Sequence, residues 1–231
     1  LMKWSLEHGQ EKKALVMKLL FLIIGFLPWA SFLKILLIFT TLIVQYNNSN
    51  YNNEGQNLEK AYFASGCFWC VESIYESLKG VIKVDSGYSG GFTKNPSYNQ
   101  VISGKTGHAE VVEVVYDPNI IDFKTLVKVF FGSHDPTTLN RQGPDVGTQY
   151  RSIAFYNSKN EELIIKNEIK RLLKNNVFNK ITTQVLPFKK FYKAENYHQD
   201  YKKKNPNDLY IIGVSAPRIN EFKIDFKNIL K

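Results

Sequence analysis

The order of hydrophobic patterns between residues 60 and 175 is the feature that most constrains the fold of this chain. Apolar runs of strand length alternate with stretches in which apolar residues recur every three or four positions, as on one face of a helix. The first such stretch carries Val71, Ile74 and Leu78 and stops at Gly80. The predicted strands are 60–65, 81–88, 108–116 and 151–156, and the helices are the one that ends at Gly80, then 123–131 and 160–175.

These elements follow one another as β-α-β and again as β-α-β. That order favours an α/β (α+β) fold with a ferredoxin-like split βαβ sheet. Residues 187–231 combine turn signals with short helical stretches, which predicts loops and C-terminal helices that wrap the sheet. No internal repeat stands out, so we expect one folded domain in residues 59–231.

A long apolar block precedes this domain. Residues 19–44 carry a single charge, Lys34, and are interrupted by Pro28. The block is long enough for a membrane-spanning signal anchor, because many Leu, Ile and Phe offset the roughly 3 kcal/mol cost of a central lysine. A cleaved signal peptide with its core at 19–27 is an alternative, and a buried core helix is a third. The sequence therefore predicts an N-terminal hydrophobic helix within residues 1–44.

Flanking charge predicts how such a helix is oriented. Several lysines precede the block, whereas none lies between Val44 and Lys60. The positive-inside rule then places the folded domain outside the cytoplasm. Residues 45–58 are rich in Asn and read as a linker. If the N-terminal segment is instead a start-site misassignment, the domain is expected in the cytoplasm.

Charge and cysteine content exclude several classes of protein. The net charge is +9, but the lysines are spread along the chain and no basic stripe is interleaved with aromatics, so no nucleic-acid partner is expected. The two cysteines are too few for a disulfide scaffold or a four-cysteine zinc site. None of the four histidines has the spacing of a zinc-ligand pair. The sequence predicts neither a metal nor an organic cofactor.

The two cysteines form a C-x-x-C where the first strand gives way to the first helix. Unpaired N–H groups and the helix dipole favour an anion there, so we expect the pKa of Cys67 to fall below its usual value of about 8.5. Cys70 lies on the same face of the first helical turn, within reach of a disulfide. Phe68 and Trp69 between them suit a pocket for a small apolar group, or else belong to the core.

Further motifs follow this segment in a fixed order. They are GCFWC at 66–70, NPSY at 95–98, GHAEVV at 107–112, YDP at 116–118, GPDVGTQYRS at 143–152 and AENYHQDY at 194–201. Together they resemble the A-type peptide-methionine sulfoxide reductases (the MsrA family). The resemblance covers roughly residues 59–207 and leaves the N-terminal apolar block outside.

Reduction of a sulfoxide needs a soft nucleophile and an acid that is still protonated near neutral pH. Glu110 and Glu113 lie on opposite faces of the valine-rich third strand, and alternation alone leaves the choice between them open. The resemblance implies that Glu110 is the acid and that Cys67 is the nucleophile.

The resemblance also implies how the substrate is held. The hydroxyl groups of Tyr98 and Tyr150 would bind the sulfoxide oxygen, and Asp145 would contribute a carboxylate tied in through water. Phe68 and Trp69 would form the pocket for the ε-methyl group.

Two histidines have lesser roles in this scheme. His198 is expected to serve packing or capping. His108 would lie near the site, and no role is assigned to it.

The implied reaction is a repair cycle with three steps. Cys67 reduces the S epimer of methionine sulfoxide, free or in oxidised proteins, and becomes a sulfenic acid. Cys70 then forms a disulfide with it, since the chain contains no third cysteine; if Cys70 does not reach Cys67, a small-molecule or partner thiol resolves it instead. A thioredoxin-like dithiol finally reduces the disulfide. We expect a monomer whose only membrane contact is the N-terminal segment.

Two other functions remain open from the sequence. A thioredoxin-like disulfide oxidoreductase would also place a C-x-x-C at a helix start. A membrane-tethered metal-binding or interaction module would use the same cysteines as ligands.

Overall fold

The structure, a computed structural model, describes residues 38, 40, 41 and 57–231. The chain divides into two units, residues 1–55 and residues 56–231. In the first, the three described residues are helical. The rest of the predicted hydrophobic helix and most of the predicted linker lie outside the described residues. In the part of the chain that is described, no helix is both long enough and apolar enough to cross a membrane.

The second unit combines strands and helices. The strands are β1 (Glu59–Ala64), β2 (Val81–Ser89), β3 (Ala109–Tyr116), β4 (Arg141–Gln142), β5 (Asp145–Val146), β6 (Ile153–Tyr156), β7 (Gln184–Pro187) and β8 (Tyr192–Lys193). The α-helices are α1 (Phe68–Glu76), α2 (Tyr98–Ile102), α3 (Phe123–Gly132), α4 (Lys159–Lys174), α5 (Tyr201–Lys204) and α6 (Ala216–Asp225). Short 3₁₀ turns lie at Thr148–Tyr150, Asn196–His198 and Lys227–Ile229, and a π-helical turn lies at Ile211–Ser215.

One sheet organises this unit, with the strand order β7-β6-β1-β3-β2-β8. Neighbouring strands are antiparallel except β6 and β7, which are parallel. The four central strands, β6-β1-β3-β2, have the order of a split βαβ sheet: α1 leads from β1 to β2, and α3 follows β3. The mixed α/β architecture predicted from the sequence is therefore present.

The two faces of the sheet are covered differently. On one face, Phe63 of β1 and Val112 of β3 pack with the apolar sides of α1, α3, α4 and α6 in a single core. On the other face, Tyr62 stacks on Phe188 with ring centroids 3.6 Å apart, so a loop rather than a helix covers it. Helices gathered on one face are typical of an α+β fold.

The two outer strands were not anticipated from the sequence. Both are short, and β8 pairs with β2 only at Gly87 and Tyr88. The four residues of β7 do not alternate between apolar and polar, so their sequence does not predict a strand. β7 forms because it pairs with the edge of β6. The segment 187–231 otherwise wraps the sheet with loops and helices, as expected.

Candidate active site

Cys67 lies between β1 and α1, where the chain makes a sharp turn. Gly66 adopts φ +87°, and a Cβ there would lie 2.5 Å from Cβ of Gln142, so this position requires glycine. Cys67 is the N-cap of α1, and its carbonyl accepts hydrogen bonds from the N–H groups of Cys70 and Val71. The thiol therefore stands at the start of a helix, as the sequence indicates, and it is 6% exposed.

Glu110 on β3 reaches this helix start from the neighbouring strand. Its Oε2 accepts a hydrogen bond from the backbone N–H of Phe68, at 3.0 Å. The side chain is buried, and burial raises the pKa of Glu110 from 4.5 to about 8. The single backbone hydrogen bond opposes this effect without cancelling it. The carboxyl group is therefore protonated near neutral pH.

Glu113 occupies the other face of the same strand. Its carboxylate accepts hydrogen bonds from Lys60 Nζ at 3.1 Å and from the Tyr62 hydroxyl at 2.8 Å. These two donors hold the Glu113 side chain on the face of the sheet that Tyr62 occupies, opposite Glu110. The structure thus separates the two glutamates that strand alternation could not.

A pocket of about 180 Å³ opens over Cys67. All the residues predicted for the site line it except Cys70, and one unpredicted residue joins them. The lining residues are Cys67, Phe68, Trp69, Tyr98, Glu110, Asp145, Tyr150 and Tyr210.

The two tyrosines predicted for the oxygen-binding site are half-buried in this pocket. Burial raises the pKa of Tyr98 to about 12 and raises that of Tyr150 further. Both hydroxyls therefore stay protonated and can donate a hydrogen bond.

Tyr98 begins α2, and its backbone N–H donates to Oε1 of Glu195 at 2.9 Å. That carboxylate also accepts from the Tyr88 hydroxyl, which fixes the start of α2 to the sheet.

Phe68 and Trp69 form the aromatic wall of the pocket, and residues of the C-terminal segment pack against it. The ring of Trp69 stacks on Tyr201 with centroids 3.7 Å apart and an interplanar angle of 7°. Its Nε1–H donates to Nδ1 of His198 at 3.1 Å. His198 is buried and also packs against Phe68 and Tyr98, which agrees with the predicted packing role.

The family model described as "Peptide methionine sulfoxide reductase" matches residues 59–229 of this chain. This chain belongs to the peptide methionine sulfoxide reductase family. It is 46% identical over 182 residues to the peptide methionine sulfoxide reductase MsrA of Deinococcus radiodurans, an alignment that spans 78% of this chain and 88% of that protein. The MsrA of Sulfolobus acidocaldarius is 44% identical over 73% of this chain and 96% of its own.

Solved structures of the family are similar in fold. Mxr1 from Saccharomyces cerevisiae in reduced form has a TM-score of 0.63 at 36% identity, covering 68% of this chain and 90% of that one. Methionine sulfoxide reductase A of Corynebacterium diphtheriae has a TM-score of 0.60 at 37% identity, covering 67% and 79%.

In this member of the reductase family the two cysteines are free thiols, and both are buried. Burial is the main reason that the pKa of Cys67 is raised, and the nearby Glu110 adds to it. This is opposite to the lowering predicted from its position at a helix start. The hydrogen bond from Cys67 is the main reason that the pKa of Cys70 is lowered, to about 6. Of the two thiols, Cys70 is therefore the one that ionises more readily.

Tyr210 is the residue of the reductase pocket that the sequence did not reveal. Its hydroxyl donates to Oδ2 of Asp145 at 2.5 Å, and its side chain lines the pocket beside Cys67. It lies three residues beyond the segment that resembles the family, and it is one of 13 tyrosines. The local signal that could have drawn attention to Tyr210 is its place at the end of the sequence NPNDLY (205–210), just before the C-terminal helix.

His108 is not part of the reductase pocket. Its Nδ1 accepts from the N–H of Gly91 at 3.1 Å, and its Nε2 lies 2.7 Å from the carbonyl of Thr93. Both ring nitrogens are thus used in fixing a loop. Within the described residues, no group of three or more His, Cys, Asp or Glu could hold a metal ion. The match to the reductase family does not favour the alternative of a metal-binding module.

Proposed function

We propose that this chain reduces the S epimer of methionine sulfoxide, free or in oxidised proteins, by thiol chemistry at Cys67. One observation carries the proposal: the Cys67 thiol and the protonated carboxyl of Glu110 line one small pocket walled by Phe68 and Trp69. A methyl-thioether fits an apolar wall, whereas a charged ligand would lose its hydration there.

The first step transfers oxygen from the substrate to Cys67. The sulfoxide sulfur is the positive end of the S–O dipole, so a bound substrate stabilises a thiolate that burial alone disfavours. The Cys67 proton passes to the ionised Cys70, and the Cys67 thiolate bonds to the sulfoxide sulfur while Glu110 gives its proton to the oxygen. The hydroxyl group then moves to Cys67 Sγ, the bond between the two sulfurs breaks, and methionine leaves. The products are a Cys67 sulfenic acid, protonated Cys70, methionine and ionised Glu110, so charge and atoms balance. Tyr98 and Tyr150 donate hydrogen bonds to the oxygen as its negative charge grows.

The second step forms the disulfide. Cys70 gives up its proton, its thiolate attacks Cys67 Sγ, the S–O bond breaks, and the departing hydroxide takes up that proton to become water. In the third step a thioredoxin-like dithiol reduces this disulfide and restores both thiols. We propose that one chain carries the first two steps, since Cys67, Cys70, Glu110 and the two tyrosines all belong to it, and that the reductant enters only in the third.

The reaction is tested with the two epimers of dabsylated methionine sulfoxide and dithiothreitol as reductant. We expect turnover of the S epimer and little turnover of the R epimer. Cys67→Ser should abolish activity, whereas Cys70→Ser should release one methionine per chain without reductant and leave a sulfenic acid that a dimedone-type reagent traps. Absence of any turnover by the parent would disprove the proposed function.

We further propose that residues 1–44 tether or export the domain 59–231 across a membrane, with 45–58 as a linker. The support is the apolar composition of residues 19–44 and the excess of lysine before them. Carbonate extraction of membranes and protease treatment of intact cells test this proposal. A protein that is released by carbonate and protected inside the cell would contradict it.

A further inference from the structure

Cys70 is enclosed by the segment that follows the predicted family motifs. Its side chain is fully buried, and its Sγ lies 2.9 Å from Oγ of Ser215. Ser215 is itself fully buried and ends the π-helical turn Ile211–Ser215, which leads directly into α6. When Cys70 is ionised, its sulfur can only accept, so the Ser215 hydroxyl must donate to it.

Arg218, one turn further along α6, places a positive charge beside the same region. Its Nε donates to the carbonyl of Ser133 at 2.7 Å, and its Nη2 donates to the carbonyl of Ser65 at 3.0 Å. A Cβ on Gly66 would lie 3.6 Å from its Nη1, so the guanidinium lies against the turn that carries Cys67. These two carbonyl oxygens fix the orientation of the guanidinium group, but as uncharged groups they do not cancel its positive charge.

The charge of Arg218 is therefore available to a nearby anion. In the described part of the chain, no carboxylate forms an ion pair with Arg218. The charge of Arg218 acts on the Asp145 carboxylate as well as on Cys70, and a half-buried cation favours a neighbouring thiolate over the neutral thiol. Cys70, when it is ionised, is such a thiolate.

We propose that Ser215 and Arg218 are positioning residues that keep Cys70 as a thiolate, both for attack on the Cys67 sulfenic acid and for departure from the disulfide. The inference rests on the proposed function, because it assumes that Cys70 resolves Cys67. After the hydrogen bond from Cys67, the charge of Arg218 and the hydrogen bond of Ser215 lower the pKa of Cys70, whereas burial and the negative charge of Asp145 raise it. Arg218 and Ser215 thus favour the ionised form of the resolving thiol.

The same contacts decide which sulfur the reductant attacks. Cys67 lines the open pocket, whereas Cys70 lies beneath Ser215 and outside that pocket. The thiolate of the incoming dithiol therefore forms its bond with Cys67 Sγ, the S–S bond breaks, and Cys70 leaves with the electron pair. A leaving thiol of lower pKa leaves faster, so the groups that favour ionised Cys70 also accelerate this step. The second thiol of the reductant then displaces Cys67.

The test separates the two chemical steps in the full chain. One equivalent of methionine sulfoxide is added without reductant, and methionine release and disulfide formation are followed by rapid quench, alkylation and mass spectrometry from about pH 5 to pH 9. The variants are Ser215→Ala, Arg218→Met and Arg218→Lys. Lys223→Met, which removes an exposed charge from the same helix, is the matched control. Thermal unfolding checks that each variant is folded.

For the parent we expect the rate of disulfide formation to rise with pH around a midpoint near the pKa of Cys70. Arg218→Met should move this midpoint up by about one pH unit and slow the step about tenfold at low pH, while methionine release changes less than about twofold. Ser215→Ala should act in the same direction, Arg218→Lys should restore much of the parental profile, and Lys223→Met should leave it unchanged.

Two results overturn the proposal, and they are distinguishable. If a folded Arg218→Met variant keeps the parental midpoint, or loses both steps equally, Arg218 is only structural and the proposed function stands. If the parent itself forms no Cys67–Cys70 disulfide after releasing methionine, the resolving role of Cys70 fails, and this inference fails with it.

Discussion

The backbone N–H of Phe68 donates a hydrogen bond to Oε2 of Glu110 across 3.0 Å. This bond joins the residue next to the nucleophile with the acid on a neighbouring strand. Because a backbone group makes the contact, the distance between Cys67 and the carboxyl group depends on the pairing of α1 with the sheet rather than on a mobile side chain. The other carboxyl oxygen has no hydrogen bond among the described residues and is free to act on a substrate.

Replacement of Glu110 by Gln should therefore remove the proton donor while keeping the contact with Phe68, since an amide oxygen can also accept. We expect the rate of methionine release to fall by about 10²–10⁴-fold. Glu110 is protonated below its pKa of about 8, so the parental rate should decline as the pH rises through about 8, and this decline should be absent in Glu110→Gln. Single-turnover rates between pH 6 and pH 10 measure both effects.

Glu113→Gln is the matched control, because it changes a carboxylate on the same strand that pairs with Lys60 and Tyr62 instead. It should keep a parental rate and pH profile. If both variants lose activity to the same extent, the acid has been assigned to the wrong residue.

Tyr201 should matter for substrate binding although it does not line the pocket. It stacks on Trp69 at 3.7 Å and holds that ring in place. Tyr201→Ala leaves Trp69 free to move, so we expect KM to rise several-fold with a smaller change in kcat; an aromatic pair of this kind contributes about 0.5–1.5 kcal/mol. Tyr201→Phe keeps the stacked ring and serves as the control. Equal kinetics for the Ala and Phe variants would show that the stacking is irrelevant to the pocket.

Tyr210 should act through Asp145. Tyr210→Phe removes a hydrogen bond to a half-buried carboxylate, and such bonds contribute about 1.5–3 kcal/mol. We expect kcat/KM to fall about tenfold or more. Tyr156→Phe, which changes a tyrosine at the end of β6 outside the pocket, should have no effect. Steady-state kinetics of the two variants side by side test the assignment.

Glu72 on α1 should make the stability of the domain depend on pH. Its side chain is 1% exposed, its Oε2 has no hydrogen-bond partner in the described structure, and burial raises its pKa from 4.5 to about 7. Above pH 4.5 the unfolded chain ionises this group while the folded one resists. The contribution of Glu72 to the free energy of unfolding is therefore fully present below about pH 4.5 and is lost as the pH rises towards 7.

Glu72→Gln should remove this loss. We expect the variant to gain about 1–3 kcal/mol in the free energy of unfolding at pH 8 relative to pH 4.5, compared with the parent. Urea unfolding at the two pH values gives the difference, and Glu221→Gln, an exposed carboxylate on α6, is the control. An unchanged difference between parent and Glu72→Gln would mean that the buried carboxyl does not titrate in this range.

The central fold was predictable because its elements carry strong local patterns. β1, β2, β3 and α3 lie within about two residues of their predicted positions. The outer strands β7 and β8 were missed, because strands of two to four residues are stabilised by the neighbour they pair with and not by their own sequence. The predicted N-terminal helix lies outside the described residues, apart from Ile38, Thr40 and Thr41, and stays a prediction.

At the site, the sequence alone determined the chemistry but not its electrostatics. The C-x-x-C at a strand–helix junction placed Cys67 at a helix N-cap, because both the turn at Gly66 and the helix start are local. Local geometry suggested a lowered pKa for Cys67, whereas burial in the folded chain raises it and shifts the negative charge to Cys70. Desolvation depends on every element packed around a thiol, and a linear pattern does not contain that information.

The tertiary structure alone decided which distant residues meet. Strand alternation treats Glu110 and Glu113 alike, and only the helix packed on one face of the sheet distinguishes them. Tyr210 lies 65 residues from Asp145, and Ser215 lies 145 residues from Cys70; each pair is brought together by the return of the C-terminal segment. Contacts at such separations follow from packing and chain topology, because no local propensity links their positions.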